Sequence, residues 1–161
     1  MGAGKSYLGK ALADLLEWDF LDLDGFLETE ESRSISNIFE EDGETHFRLL
    51  EQKYLKQTHN FHNYILATGG GAPCFFDNMD WMNQQGLTIY LDTPPSILAS
   101  RLKMEKNHRP LLAQKSDAEL LEFIEAKLSS REQFYRQAKV HFEIQTGFEQ
   151  ADVLLEAIKS I

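Results

Sequence analysis

Gly4, Lys5 and Ser6 stand together at the head of an apolar-periodic stretch and offer backbone N–H groups, an ammonium and a hydroxyl at one helix start. Those groups can cradle phosphates, reach the β and γ phosphates of ATP and ligate Mg²⁺. Gly2 and Ala3 ahead of them and the Tyr7 backbone N–H behind extend the same surface. The run is the second half of the phosphate-loop pattern G-x-x-x-x-G-K-[ST], whose first glycine would precede residue 1. Alone, such a run would compete with chance. Asp22 and Asp24 add two carboxylates at the end of the next expected strand, where ligands of open α/β sheets bind. Asp22 is expected to support the Mg²⁺ ion that Ser6 ligates. Asp24 is expected to orient or deprotonate an attacking alcohol. Either could instead simply cap the helix that follows.

Strands alternating with helices must position these groups. Leu8, Ala11, Leu12, Leu15 and Leu16 recur at helical spacing, which predicts a helix from the Gly-Lys-Ser run to about Glu17. Phe20 to Asp22 reads as a short strand. Ser34 to Phe39, then Gly43 and the amphipathic stretch through Phe47, Leu50, Tyr54 and Leu55, read as two helices separated by a turn. Tyr64 to Ala67 is a continuous apolar run halting at Thr68-Gly69-Gly70-Gly71, as a buried parallel strand entering a ligand-facing loop would. Leu87 to Leu91 repeats it, and Pro94-Pro95 opens a helix through Leu98 and Leu102. The polar stretch from about 104 to 117 reads as a mobile lid. A helix from about Ala118 to Gln137, a strand near Val140 to Ile144 and a helix from Gln150 to Ile158 follow. This order predicts an α/β fold with a mainly parallel sheet.

Composition narrows the function. The chain has 161 residues, 42% of them hydrophobic, a size suited to a single domain over 1–161. Its formal net charge of −10 argues against nucleic acid or an anionic membrane as partner, so an anionic ligand must meet a local basic cluster. No apolar run is long enough to span a bilayer, and the lone cysteine, Cys74, has no intramolecular disulfide partner. A cytoplasmic location is the natural expectation. Cys74 is given no catalytic role. His59 and His62, with no third ligand in view, read as surface residues. Trp18, Trp81 and the eleven phenylalanines read as core or edge packing, and Glu28 to Glu31 as a solvated helix face.

In order and spacing the motifs resemble the shikimate kinase family, small P-loop kinases that phosphorylate the 3-hydroxyl of shikimate. The resemblance runs nearly end to end. It is carried by Gly2 to Ser6, Phe20 to Asp24, Ile38 to Glu44 leading to Phe47-Arg48 and Glu51, Thr68 to Ala72, Arg109-Pro110-Leu111-Leu112, and Arg131 with Tyr135. It implies a P-loop kinase fold with a parallel five-stranded sheet, helices on its flanks and a lid. It also implies ATP as co-substrate, Mg²⁺, and a monomer.

Site roles follow by position. Arg48 and Arg131 match the arginines that bind the substrate carboxylate, a task suited to planar guanidinium forks. By itself Arg48 would be read as a solvated residue or as an ion pair with Glu44 or Glu51. Asp24 matches the residue that hydrogen-bonds the substrate hydroxyls. Gly69, Gly70 and Gly71 form the run whose backbone comes close to the substrate, and Arg109 matches the lid arginine on the ATP phosphates. Arg101 lies near the adenine-stacking arginine, while no adenine loop is recognisable around Thr146-Gly147-Phe148. Tyr7 replaces a small hydroxyl residue, and its ring needs room. The phosphate loop follows the first strand in the family fold, which is central in the sheet, so a further strand is expected between Tyr64–Ala67 and Leu87–Leu91. Gluconate or nucleoside monophosphate kinases, or a silent binding module, are the rival readings.

Overall fold

The computed structural model describes residues 2–104, 116–144 and 150–160. The phosphate-loop run opens α1 (Lys5–Leu16), preceded by Gly4 at φ 83°. Leu8 and Leu12, one turn apart, lie buried on a single face. Glu17 closes the helix in the left-handed region, its N–H returning to Asp14 O, and Trp18 N–H returns to Ala13 O at 2.9 Å.

That tight ending turns the chain into β1 (Asp19–Asp22), which runs straight into α2 (Leu23–Glu31). The joint needs no loop because Asp22, still extended, accepts the Asp24 N–H at 3.2 Å and caps the helix. Ser34 does the same for α3 (Ile35–Gln57) through the Asn37 N–H. The two helices expected on either side of Gly43 are joined end to end. Gly43, at φ 81° and ψ 172°, breaks the helical path at one residue in place of a turn, a conformation that a residue with Cβ disfavours. The remaining elements are β2 (Tyr64–Ala67), α4 (Asn78–Gln85), β3 (Ile89–Asp92), α5 (Pro95–Met104), α6 (Asp117–Tyr135), β4 (Val140–Glu143) and α7 (Ala151–Lys159). Met104 ends α5 and Asp117 begins α6 behind a Ser116–Glu119 capping box, so both outer ends of the expected lid are helical. Its interior, with Arg109, lies outside the described residues, as do Thr146 to Phe148.

The strands form two parallel pairs. β1 lies beside β2 with Asp22 opposite Ala67, and β3 beside β4 with Asp92 opposite Glu143. No hydrogen-bonded ladder joins β2 to β3 among the described residues. Direct pairing of those two strands, the outcome that would contradict an intervening strand, is thus not seen.

Three apolar clusters hold the layers together. Leu23, Leu27 and Ile38 bury the α2–α3 side with Leu55, Leu8 and Leu12 meet Phe142 and Leu154, and Leu98 and Leu102 meet Leu120 and Ile124. Each fully buried aliphatic side chain contributes about 1.5–3 kcal/mol. Trp81 packs on the first cluster, Phe39 packs tilted against Phe47, and Phe61 packs edge-on against Phe26 and Tyr64, as expected, whereas Trp18 and Phe76 are exposed, against the expectation of packing. Trp18 and Phe76 sit at or next to left-handed residues that turn the backbone, so these side chains leave the helix and strand faces that reach the core.

Candidate functional site

The end expected to take phosphates is built on the first turn of α1. Ser6 Oγ donates to Asp22 Oδ2 at 2.8 Å, which brings together the two residues expected to serve Mg²⁺. The same Asp22 carboxylate caps α2, so the capping role and the site role coexist. A hydroxyl with a nearby carboxylate fits Mg²⁺, a hard cation that keeps several waters and takes few protein oxygens. No group of three or more His, Cys, Asp or Glu side chains capable of holding a metal occurs among the described residues. Arg101 reaches back from α5 so that Nη1 donates to the Gly2 carbonyl at 3.2 Å. This arginine is therefore seated on the loop backbone. The Tyr7 ring is largely exposed, so the bulk after Ser6 has the room it needs.

The second half of the site is built on α3 and the loop after β2. Arg48 is buried although it lies within a helix pattern. Its Nη1 donates to Glu51 at 2.7 Å and its Nη2 to Glu44 at 3.0 Å, so the intrahelical ion pairs do form. They hold the guanidinium inward, with the Phe75 ring 4.2 Å from its carbon. The glycine run is shaped around these groups. A Cβ on Gly71 would lie 2.7 Å from Arg48 Nη1, and one on Gly69 would lie 3.1 Å from both Asp24 Oδ1 and Glu51 Oε1. A side chain at either position would push these carboxylate and guanidinium ends aside.

Asp24 lies against the glycine loop beside Gly69, and its carboxyl feels both the Lys5 ammonium and the Arg48 guanidinium. Burial pushes its carboxyl above the ordinary value, Asp22 and Glu28 add to the rise, and Lys5 and Arg48 oppose it. Burial likewise pushes Glu51 up, against the hydrogen bond and charge of Arg48. Across the site, on α6, Arg131 lies one turn before Tyr135, whose hydroxyl donates to the Gly70 carbonyl at 2.5 Å. A cavity of about 100 Å³ links the halves, lined by Ala3, Lys5, Gly69, Gly70, Tyr90 and Tyr135 among others. Cys74 is half-buried and its thiol is pushed up by burial, in keeping with a side chain that has no nucleophilic task.

The described residues thus gather Gly2, Ala3, Gly4, Lys5, Ser6, Asp22 and Arg101 at one end and Asp24, Arg48, Gly69, Gly70, Gly71 and Arg131 at the other. Glu51 and Tyr135 join them, although sequence reasoning assigned neither a role. The available signals were their places in the motifs that carry the family resemblance and their spacing, Glu51 three residues after Arg48 and Tyr135 four after Arg131.

Comparison with known proteins points to one family. The shikimate kinase family model matches residues 1–161. A shikimate kinase of Bacteroides fragilis is 49% identical over 138 residues, covering 86% of this chain and 77% of the relative. The crystal structure of shikimate kinase from Bacteroides thetaiotaomicron superposes with a TM-score of 0.92 at 40% identity, covering all of this chain and 94% of the other. That of shikimate kinase from Acinetobacter baumannii in complex with shikimate gives 0.88 at 36% identity, covering 99% and 89%. With its Gly-Lys-Ser helix start, paired aspartates and arginine-lined glycine loop in one α/β framework, the chain belongs to the shikimate kinase family.

Proposed function

We propose that this chain transfers the γ-phosphoryl group of ATP to the 3-hydroxyl of shikimate, giving shikimate 3-phosphate and ADP. The observation that carries this reading is the closeness of Asp24 and Arg48 to one glycine loop, a Cβ on Gly69 falling 3.1 Å from Asp24 Oδ1 and a Cβ on Gly71 falling 2.7 Å from Arg48 Nη1. A carboxylated polyol held through its carboxylate by Arg48 and Arg131 presents a hydroxyl to Asp24. Shikimate, the ligand of the Acinetobacter complex, has this chemistry. A gluconate-type or nucleotide substrate finds no such specific support.

In the proposed reaction the substrate oxygen attacks the γ-phosphorus in line, the bond to the ADP oxygen breaks, and the hydroxyl proton passes to Asp24. A carboxyl raised by burial is a better proton acceptor than an ordinary one. Lys5 neutralises charge on the phosphates, and Arg101 keeps the Gly2 carbonyl and its loop in place. Ser6 and Asp22 would hold Mg²⁺, which when bound supplies further charge neutralisation at the phosphates. Gly2, Ala3, Gly4 and the Tyr7 N–H complete the phosphate cradle.

Several finer features belong to the same proposal. The two parallel strand pairs flank a fifth, central strand in a parallel sheet. The segment from about 104 to 117 acts as a lid, with Arg109 on the ATP phosphates. The chain forms one domain over 1–161 and works as a cytoplasmic monomer without nucleic-acid or membrane partners; no helix among the described residues is long and apolar enough to cross a membrane. A coupled assay with ATP, Mg²⁺ and shikimate tests the central claim. ADP release that depends on shikimate is expected, and its absence sinks the assignment.

A further inference from the structure

The glycine loop is held in two ways. Gly69 O accepts the Ala72 N–H at 3.1 Å and Gly71 O accepts the Cys74 N–H at 2.8 Å, so both flanking carbonyls are fixed by the loop's own backbone. The Gly70 carbonyl is different. Its strong partner is the Tyr135 hydroxyl at 2.5 Å, 65 residues away on the last turn of α6, while Cys74 Sγ stands 3.9 Å off.

A trans peptide is planar, with its carbonyl and the next N–H pointing in opposite directions. Holding Gly70 O therefore sets the aim of the Gly71 N–H, for which no described residue acts as acceptor. That donor sits beside the Arg48 guanidinium, given the close approach of Gly71 to its Nη1. Tyr135 also stands one helical turn from Arg131, near enough for the guanidinium to act on the phenol electrostatically. The phenol ring is itself fixed by stacking on Tyr90, with centroids 5.1 Å apart and planes 28° from parallel.

We propose that Tyr135 is a positioning residue for the substrate carboxylate: its hydroxyl pins the Gly70–Gly71 peptide so that the Gly71 N–H and the guanidinium groups of Arg48 and Arg131 converge on one anion. The residue acts through its neighbours and has no part in phosphoryl transfer. This inference rests on the shikimate reading above.

The test is Tyr135→Phe, which removes one oxygen and keeps the ring stacked on Tyr90. Steady-state kinetics with shikimate and ATP varied separately, a thermal melt and calorimetric titration with shikimate alone are the measurements. The expected result is a rise of about tenfold in KM and Kd for shikimate, the scale of one directed hydrogen bond, with KM for ATP and the melting temperature unchanged. A shikimate KM within about twofold of wild type overturns the proposal. A parallel rise in KM for ATP, or a melting temperature lowered by more than about 5 °C, also overturns it by assigning the hydroxyl to general stability. If the wild-type protein neither binds nor turns over shikimate, the substrate reading itself fails and this inference falls with it.

Discussion

Ser6 Oγ donates a 2.8 Å hydrogen bond to Asp22 Oδ2, joining the first turn of α1 to the last residue of β1. The bond gathers a hydroxyl and a carboxylate, the oxygen pair that the proposed reaction assigns to a phosphate-bound cation. Ser6→Ala removes the hydroxyl and leaves Asp22 still capping α2. The Mg²⁺ concentration for half-maximal turnover is expected to rise about tenfold or more, with little change in melting temperature. A Mg²⁺ titration of ADP release checks this, and an unchanged midpoint would remove Ser6 from the cation site.

Gly71→Ala places a methyl group where the Arg48 guanidinium lies, 2.7 Å from Nη1. Gly71 has φ −88° and ψ −27°, so alanine fits the backbone and the whole effect arises from the displaced arginine. The KM for shikimate is expected to rise about tenfold, equivalent to about 1.4 kcal/mol, with KM for ATP unaffected. Wild-type kinetics would mean that Arg48 can move aside without cost.

Glu51 is almost completely buried and paired to Arg48 at 2.7 Å. Glu51→Ala leaves a buried guanidinium with Glu44 as its remaining ion-pair partner among the described residues, and Glu44 is largely exposed. Breaking a buried pair from one side costs about 3–5 kcal/mol. Urea denaturation of the variant should show a loss of that order, together with a raised KM for shikimate as Arg48 drifts. A loss below about 1 kcal/mol would show the pair to behave like a surface one.

Asp24 and Glu51 both titrate above their ordinary values of 3.8 and 4.5, burial being the largest cause for each. The folded chain therefore keeps these protons to higher pH than the unfolded chain. Their effect is smallest below the ordinary values, and stability falls as pH rises through the raised ones, because the folded state then carries buried charge. Asp24→Asn removes its share of that fall. The variant should be more stable than wild type near neutral pH, with the advantage shrinking toward about pH 4, while turnover drops about 10²–10⁴-fold. Denaturant midpoints from about pH 4 to 8 read the sign directly, and wild type gaining on the variant as pH rises would contradict it.

Much of the framework was readable because it rests on local rules. The periodicity of Leu8 and Leu12, the apolar run Tyr64–Ala67 and the proline at the start of α5 predicted elements close to their observed limits. Helix α4 gave no such signal, since Asn78–Gln85 is short and mostly polar, and Gly43 marked a break without disclosing that a single residue would make it. The exposure of Trp18 and Phe76 was equally hidden. A residue's type states its preference for the core, but the backbone at and beside Glu17 and Phe76 decides whether the side chain can get there.

For the site, residue type and order by themselves suggested the chemistry available, glycine with lysine and serine suiting phosphates and paired aspartates suiting a cation and a hydroxyl, while the arginines pointed to a carboxylate only through the family resemblance. Tertiary structure decided which of those groups meet. Asp22 serves both a helix cap and Ser6, Arg48 turns inward because Glu51 and Glu44 hold it, and the loop Gly69–Gly71 closes on those side chains to within contact distance. Tyr135 acquires its place only when α6 passes over the loop after β2. The physical reason is range: helical and strand periodicity act over a few residues, whereas burial of charge and the aim of a hydrogen bond depend on atoms that only the folded chain brings together.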